Sequence, residues 1–556
     1  MTSEVSERPD AERRRFEWWR RYYRAILVAM VCIGALLRLV HLGEAAQWPL
    51  YSKHRLDALY YHQAARYIVE RDVGLGRGPL HMSPLYTYLL AGTYAVSGVQ
   101  PDVIRALQLL FGLLTILSVA ALAKTLAGHR VALLAALLTA TYRPLIFYET
   151  VLTPASLASL LLVSSIAAYY WLRRQPSAGR ASIFALVFGL SILTRPNVLL
   201  FAPIAVAGII LDPAFGSLRG RRFRLSALML GVLAASIAPV SIRNAVRGDS
   251  FVLITDAAGL NFYIGNRRGA PGYFEPVFGA GNAAAEFVAF RAEARRRSGR
   301  QLTFAEASRY FMREGLREID RDKLGWLQLI GRKALFFAQS YEIPNTQNYQ
   351  FAKELHPILR WPLPEFGWIF PFALLGCILA ATRFRETYAL LGAVFAYVAA
   401  LLAFFVLAHY RLAVVPLLIV LAALGVVTLI RATLAARWRL VASGLAVVAV
   451  AGAVTFAGHP LLHRDFSQDY FQLAYAYHVR RQPAEAELYY RRALAIDPQN
   501  VSAHKNLARL AQSQGRRSVA VRHFRAILAI AERRHDKGLA RYARANLIAL
   551  GEPSDP

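Results

Sequence analysis

AILVAMVCIGALLRLVHLG, residues 25–43, carries a single fixed charge, Arg38, in nineteen residues. A run of that length and apolarity is about what a helix needs to cross the roughly 30 Å hydrocarbon core of a bilayer. Residues 54–61, HRLDALYY, follow it and set Asp57 just beyond the membrane face, among His54, Arg55, Tyr60, Tyr61 and His62. A carboxylate beside cations and aromatic rings has the chemistry to take a proton from a hydroxyl. Taken alone, the stretch fits better an ordinary acid in a wet loop, paired with Arg55; its place in the rest of the chain shifts that balance. The loop runs on through Gly74, Gly76 and Gly78 to HMSPLY at 81–86.

Composition agrees with a membrane chain. Of 556 residues, 56% are hydrophobic and only 18% charged, with a mean hydropathy of +0.34, too apolar for a soluble globular protein. The net charge of +30 is spread over arginines in short loops between apolar segments. That placement speaks for membrane topology and contact with anionic membrane lipids. No motif for nucleic acid accompanies it, so no nucleic-acid partner is expected. Cys32 and Cys377 both lie in apolar segments and offer neither a disulfide framework nor a metal pattern. The basic run Arg13 to Arg24 ahead of the first apolar stretch reads as a signal anchor. It holds residues 1–24 in the cytoplasm, with Trp18, Trp19, Tyr22 and Tyr23 at headgroup level.

About 11 spans follow from the length rule: residues 25–43, 103–126, 131–148, 152–172, 181–194, 197–211, 225–242, 366–381, 388–407, 412–430 and 441–456. Arginine clusters fall in the loops this order puts inside, the outer turns carrying fewer. Residues 44–102 and 243–365 become outer loops. In the first, residues 84–98 are apolar but short, a helix for the interface. The second is a long polar insertion with an amphipathic stretch at 326–341. Arg38, near the far end of the first span, is expected to snorkel or to line a cavity. The membrane domain then occupies residues 25–457, and an odd number of spans puts the C-terminal domain outside.

Residues 466–550 repeat at an interval of 34. Tyr470, Leu473, Ala474, Tyr477, Ala486, Tyr490, Ala493 and Pro498 stand at the spacings of a tetratricopeptide repeat, and Leu507, Ala508, Ala511, Ala520 and Phe524 start a second. Small residues let paired helices approach and aromatics fill between them. Residues 537–550 read as a capping helix. Such a unit is a binding surface for a protein partner, whose identity the repeat does not give.

In order and placement, several stretches resemble the GT-C superfamily of membrane glycosyltransferases. They are Asp57 with Tyr60-Tyr61 and Ser83-Pro84-Leu85-Tyr86; Arg105; Thr194-Arg195-Pro196; Arg243-Asn244; residues 259–266, GLNFYIGN; and Tyr410-Arg411-Leu412 with Pro416. The nearest likeness is to the family-39-like branch of protein O-mannosyltransferases and lipid A aminoarabinose transferases, over roughly residues 25–455. The resemblance implies an all-α, polytopic GT-C fold with the small helical repeat domain after it. It also implies a polyprenyl-phosphate-linked sugar donor and inverting transfer at the outer face, to a protein, lipid or glycan acceptor. A catalytic acid in the first outer loop is implied, and Asp57 matches it as general base.

A departing lipid phosphate needs a cation, and arginine suits it through its permanent charge and paired donors. Arg411, beside His409 and Tyr410, is the first candidate; Arg243 and Arg195 follow. Tyr60, Tyr61, His81 and Tyr410 complete the expected substrate contacts. No cofactor is assigned. A divalent metal would have to be held by His54, His62 and His81 around Asp57, which lack a fixed motif spacing. Some relatives place an acidic–basic pair before the proline of this loop; here Met82-Ser83 stand there, so metal and phosphate roles do not carry over to that spot. Asn261, Tyr263 and Asn266 are candidates for shaping the outer pocket, though turn chemistry around Gly259 and Gly265 accounts for them better. A bacterial inner membrane, with the repeats extracytoplasmic, is the implied setting. The rival reading is a non-catalytic membrane scaffold that displays the repeats.

Overall fold

The computed structural model describes residues 10–248, 251–278, 283–458 and 465–553. Among them every regular element is a helix. Seven helices are long and apolar enough to cross a membrane: Arg21–Ala46, Pro101–Ala127, Ala155–Arg174, Arg219–Arg247, Phe384–Ala403, Ala408–Leu434 and Trp438–Phe456. Four shorter apolar helices, His129–Thr141, Ala178–Thr194, Pro196–Leu211 and Phe366–Ala381, fall on the remaining stretches read as spans. The chain is an integral membrane protein. Its described residues form two compact units, one from 1–42, 55–349 and 356–458, the other from 43–54, 350–355 and 459–556.

In the first unit Pro101–Ala127 packs on His129–Thr141 and Ala155–Arg174, and Phe366–Ala381 packs on Val415–Leu434 and Trp438–Phe456. Leu27, Met30 and Val31 of the first helix meet Ile116, Ala120, Ala136 and Ala140, where small side chains permit close approach. Arg38 neither snorkels nor lines a cavity. It is 1% exposed, its Nε lies 2.8 Å from Glu149 Oε2, and its Nη1 donates to the carbonyls of Gly34 and Ala140. A guanidinium buried among helices is tolerated only when paired and hydrogen-bonded in this way.

The apolar helix of the first outer loop, Pro84–Ser97, has 14 residues. At about 1.5 Å per residue it is too short to span. Its Tyr86, Leu90, Ala91 and Tyr94 pack against Ala58, Tyr61, Ala65 and Ile68 of the helix Leu56–Glu70.

The described part of the polar insertion at residues 243–365 is more ordered than its composition suggests. It holds the helices Ala258–Asn266, Ala283–Ser298, Phe304–Arg321, Lys323–Ala338 and Tyr349–Leu355. Their apolar residues meet one another: Phe290 stacks on Phe311 at 4.6 Å and Tyr263 lies 4.8 Å from Phe311. A capping box is the local signal that sequence reasoning passed over. Thr303 Oγ1 accepts from Glu306 N at 3.2 Å, and Glu306 Oε2 accepts from Thr303 N at 2.8 Å. Gly259 and Gly265 are helical rather than turn residues. A Cβ on Gly259 would stand 1.8 Å from Ser308 O, and one on Gly265 2.0 Å from Phe404 O. Glycine is required there because backbones touch.

The second unit pairs Ser467–Val479 with Pro483–Ile496 and Val501–Ser513 with Arg517–Arg533, then adds Lys537–Ala549. Residues 34 apart are equivalent in burial: Leu473 and Leu507, Ala474 and Ala508, Ala486 and Ala520, Tyr490 and Phe524 are all 0–2% exposed. Within this unit Phe351 sets its ring edge against Tyr470 at 5.0 Å, and Lys53 lies over Tyr475 at 3.6 Å.

Candidate active site

Asp57 occupies the first turn of the helix Leu56–Glu70. The helix is entered through Leu56 at φ +44°, a left-handed conformation that a branched side chain adopts only under restraint. Asp57 Oδ2 accepts from Asn345 Nδ2 at 3.3 Å and lies 3.5 Å from His409 Nε2. Asp57 Oδ1 has no hydrogen-bond partner among the described residues. Sequence reasoning named neither Asn345 nor, as a partner for Asp57, His409.

Asp57 borders a cavity of about 140 Å³ that Tyr61, His81, Arg195, Asn261 and Tyr410 also line. Arg195 caps the helix Ala178–Thr194. Its guanidinium lies 4.3 Å from the centre of the Tyr410 ring, and its Nη2 donates to His409 O at 3.3 Å. Its buried Nε has no partner among the described residues. A cation and a carboxylate thus line one cavity. Burial pushes the hydroxyls of Tyr60 and Tyr61 well up from the ordinary tyrosine range. Both phenols stay protonated near neutral pH, which leaves a carboxylate rather than a phenolate for proton abstraction.

His81 sits on the same wall. Its Nδ1 is 2.7 Å from Asp256 Oδ1, its ring stacks on Phe287 at 4.5 Å, and the edge of Phe304 closes the other side at 4.7 Å. Arg243-Asn244 explains how residues this far apart in sequence meet. Arg243 donates to the carbonyls of Gly74, Leu75, Gly76 and Gly78. Asn244 accepts from Leu80 N at 3.1 Å and donates to Val252 O and Ile254 O at 3.1 and 2.8 Å. It thereby ties the first outer loop to the second, and Asp256 N then donates to Leu80 O at 3.2 Å.

The geometry reverses the ranking of the arginines. Arg411, first on sequence, is 2% exposed and committed elsewhere. It pairs with Glu342 at 2.8 Å, donates to the carbonyls of Phe337, Gln339 and Tyr341, and lies 3.8 Å from the centre of the Phe366 ring. Arg243 is likewise spent on a glycine-rich turn. Both hold loops, and Arg195 is the arginine on the cavity. His62 and His81 do not gather around Asp57 as a metal site would need. His62 Nδ1 is 2.8 Å from the Tyr94 hydroxyl, and His81 turns to Asp256; His54 belongs to the other unit. Asn266 is a helix-to-helix tie, its Nδ2 donating to Ala403 O at 2.8 Å, while Asn261 reaches the cavity.

Residues 81–242 match the sequence model of the family described as dolichyl-phosphate-mannose-protein mannosyltransferase, and residues 468–510 match a tetratricopeptide repeat. These matches bear out the GT-C resemblance and the repeat. No curated protein matches the chain. Among solved structures, the archaeal oligosaccharyltransferase AglB from Archaeoglobus fulgidus, in complex with an inhibitory peptide and a dolichol-phosphate, is similar at 17% identity and a TM-score of 0.45, over 82% of this chain and 58% of that one. ArnT from Cupriavidus metallidurans, bound to undecaprenyl phosphate, is similar at 15% identity and a TM-score of 0.33, over 73% of this chain and 78% of that one. This chain spans 58% of the length of the archaeal protein.

Proposed function

We propose that the protein is a membrane glycosyltransferase that moves a sugar from a polyprenyl-phosphate donor to an acceptor hydroxyl at the extracytoplasmic face. The observation that carries this reading is the shared cavity, which Asp57 and Arg195 both line. In this scheme Asp57 takes the acceptor O–H proton as the oxygen attacks the anomeric carbon from the face opposite the phosphate. The bond from that carbon to the phosphate oxygen breaks, and its electron pair leaves with the lipid phosphate, whose charge Arg195 meets. The anomeric centre inverts. Asn345 and His409 orient the carboxylate through Oδ2 and leave Oδ1 for the proton. Tyr61 and Tyr410 are walls for the sugar.

Residues 25–457 are the transferase domain of this proposal, set in a bacterial inner membrane, and residues 466–550 a docking surface for a protein partner. The repeat unit is built together with residues 43–54 and 350–355 of the two outer loops, which supports an extracytoplasmic repeat domain and a cytoplasmic N-terminus. The test is transfer in purified membranes from labelled polyprenyl-phosphate sugars, comparing wild type with Asp57→Asn at matched expression. Loss of a positioned general base lowers the rate by about 10²–10⁴-fold. Equal turnover by the two proteins would remove Asp57 from the chemistry.

A further inference from the structure

His81 and Asp256 form a dyad that the scheme above leaves idle. Asp256 is 3% exposed at its side chain and His81 19%. Asp256 is fixed from three sides: its carboxylate meets His81 Nδ1 at 2.7 Å, its N–H donates to Leu80 O, and its carbonyl accepts from Ser308 Oγ at 2.6 Å. The imidazole is clamped between Phe287 and Phe304 and cannot turn away. A carboxylate on Nδ1 sets the tautomer, and the other ring nitrogen becomes the working atom. That atom, Nε2, has no hydrogen-bond partner among the described residues, on a side chain that lines the cavity of Asp57 and Arg195.

We propose that His81 is the acid partner of Asp57, with Asp256 as its positioning residue. Resting on the transferase reading, this assigns each end of the reaction its own proton carrier. His81 Nε2–H hydrogen-bonds an oxygen of the donor phosphate. As the anomeric carbon–oxygen bond breaks and its electron pair passes to the phosphate, the proton on Nε2 moves to that phosphate. The acceptor proton has meanwhile gone to Asp57. Return of the Asp57 proton to His81 through solvent restores both groups, and the net products are the glycoside and the monoprotonated lipid phosphate. The match is chemical: the dianion of a phosphate monoester takes up a proton near pH 6, in the range where imidazole titrates. A guanidinium such as Arg195 supplies charge at all such pH values but no proton. The charged groups around the imidazole are few. Asp256 touches it, Glu286 adjoins Phe287, Arg291 lies 4.0 Å from the centre of the Phe304 ring, and Asp57 and Arg195 line the same cavity.

The test has an arm that needs no turnover. Binding of undecaprenyl phosphate to the purified full-length protein in detergent is expected to weaken about 10- to 100-fold in His81→Ala, the loss of one charge-assisted hydrogen bond, and not to weaken in Asp57→Asn, which takes a negative charge out of the same cavity. In the transfer assay, added imidazole is expected to restore His81→Ala and not Asp57→Asn. Asp256→Asn is expected to lower transfer in the otherwise wild-type protein and to add no further loss in His81→Ala rescued by imidazole, as a residue that acts only by holding His81 must. Equal binding of undecaprenyl phosphate by wild type and His81→Ala would overturn the proposal, as would His81→Ala turnover at the wild-type rate. Full turnover by Asp57→Asn alongside a defective, imidazole-rescued His81→Ala would sink the base and keep the acid.

Discussion

The core of the repeat unit and the wall of the Asp57 cavity are both built from buried side chains, yet they bury opposite things. In the repeat unit the buried set is Leu473, Ala474, Ala486, Tyr490 and their equivalents 34 residues on, local in sequence and almost wholly apolar. Around the cavity the buried and half-buried set is Asp57, His409, Arg195, His81 and Asp256, paired across gaps of up to hundreds of residues. Apolar burial stabilises in proportion to area and needs no particular partner. A buried polar group needs its partner and destabilises if left alone. The first region is therefore a scaffold, and the second a set of polar groups that hold only by their mutual pairing.

The two regions should fail in different ways. The largest effect is expected at Asp57, where Asn keeps the shape and removes the base. Transfer falls by about 10²–10⁴-fold while the melting temperature of the detergent-solubilised protein holds. Tyr490→Ala should do the reverse. Emptying a fully buried ring site destabilises its surroundings by about 3–5 kcal/mol. Hydrogen exchange in the helices Ser467–Val479 and Pro483–Ile496 should rise accordingly, with transfer per folded molecule retained in the reading that separates scaffold from site. Parallel loss of transfer in Tyr490→Ala would show that the repeats take part in the reaction.

How much was legible follows the same division. The 34-residue spacing sits within one helical hairpin and its copy, so Ala474 and Ala508 announced their burial. The apolar runs announced the membrane helices. Asp57 was found because its place, just past the first span, is itself a sequence feature. Its partners were not, since Asn345 lies 288 residues away and a side-chain amide in a polar loop carries no periodicity. Arg411 and Arg195 show the limit most plainly. Both stand in short motifs at helix ends, and nothing local says that one will be satisfied by Glu342 and three carbonyls while the other keeps a free donor. Arg243-Asn244 was singled out for substrate and turned out to brace two loops against each other.

A smaller effect is expected at Arg195. Lys keeps the charge but gives up the planar fork and the stacking on Tyr410. The expected outcome is a loss in kcat/KM of about 10- to 100-fold, the worth of a hydrogen bond to a charged group, with no change in melting. Steady-state transfer at several donor concentrations checks it. A fall in melting temperature without a kinetic defect would place Arg195 with Arg411 among the structural cations and blur the contrast between the two regions.

The smallest effect belongs to a polar tie in the repeat unit. Glu487, on the helix Pro483–Ile496, is joined to Arg516 at the head of Arg517–Arg533 and to Arg491 at 2.5 Å. The hydrogen bond from Arg516 holds its carboxyl below the ordinary glutamate value, against the opposing pull of burial. A group whose folded-state value is depressed stabilises the fold above its unfolded value, here 4.5, and that contribution disappears as pH falls through the folded value. Protection from hydrogen exchange in the two helices, corrected for the intrinsic rate at each pH, should therefore be flat above about pH 5 and decline below it. In Glu487→Gln, which has no proton to gain, the decline should be shallower. Identical profiles would mean that Arg516 and Glu487 meet only as solvated surface charges.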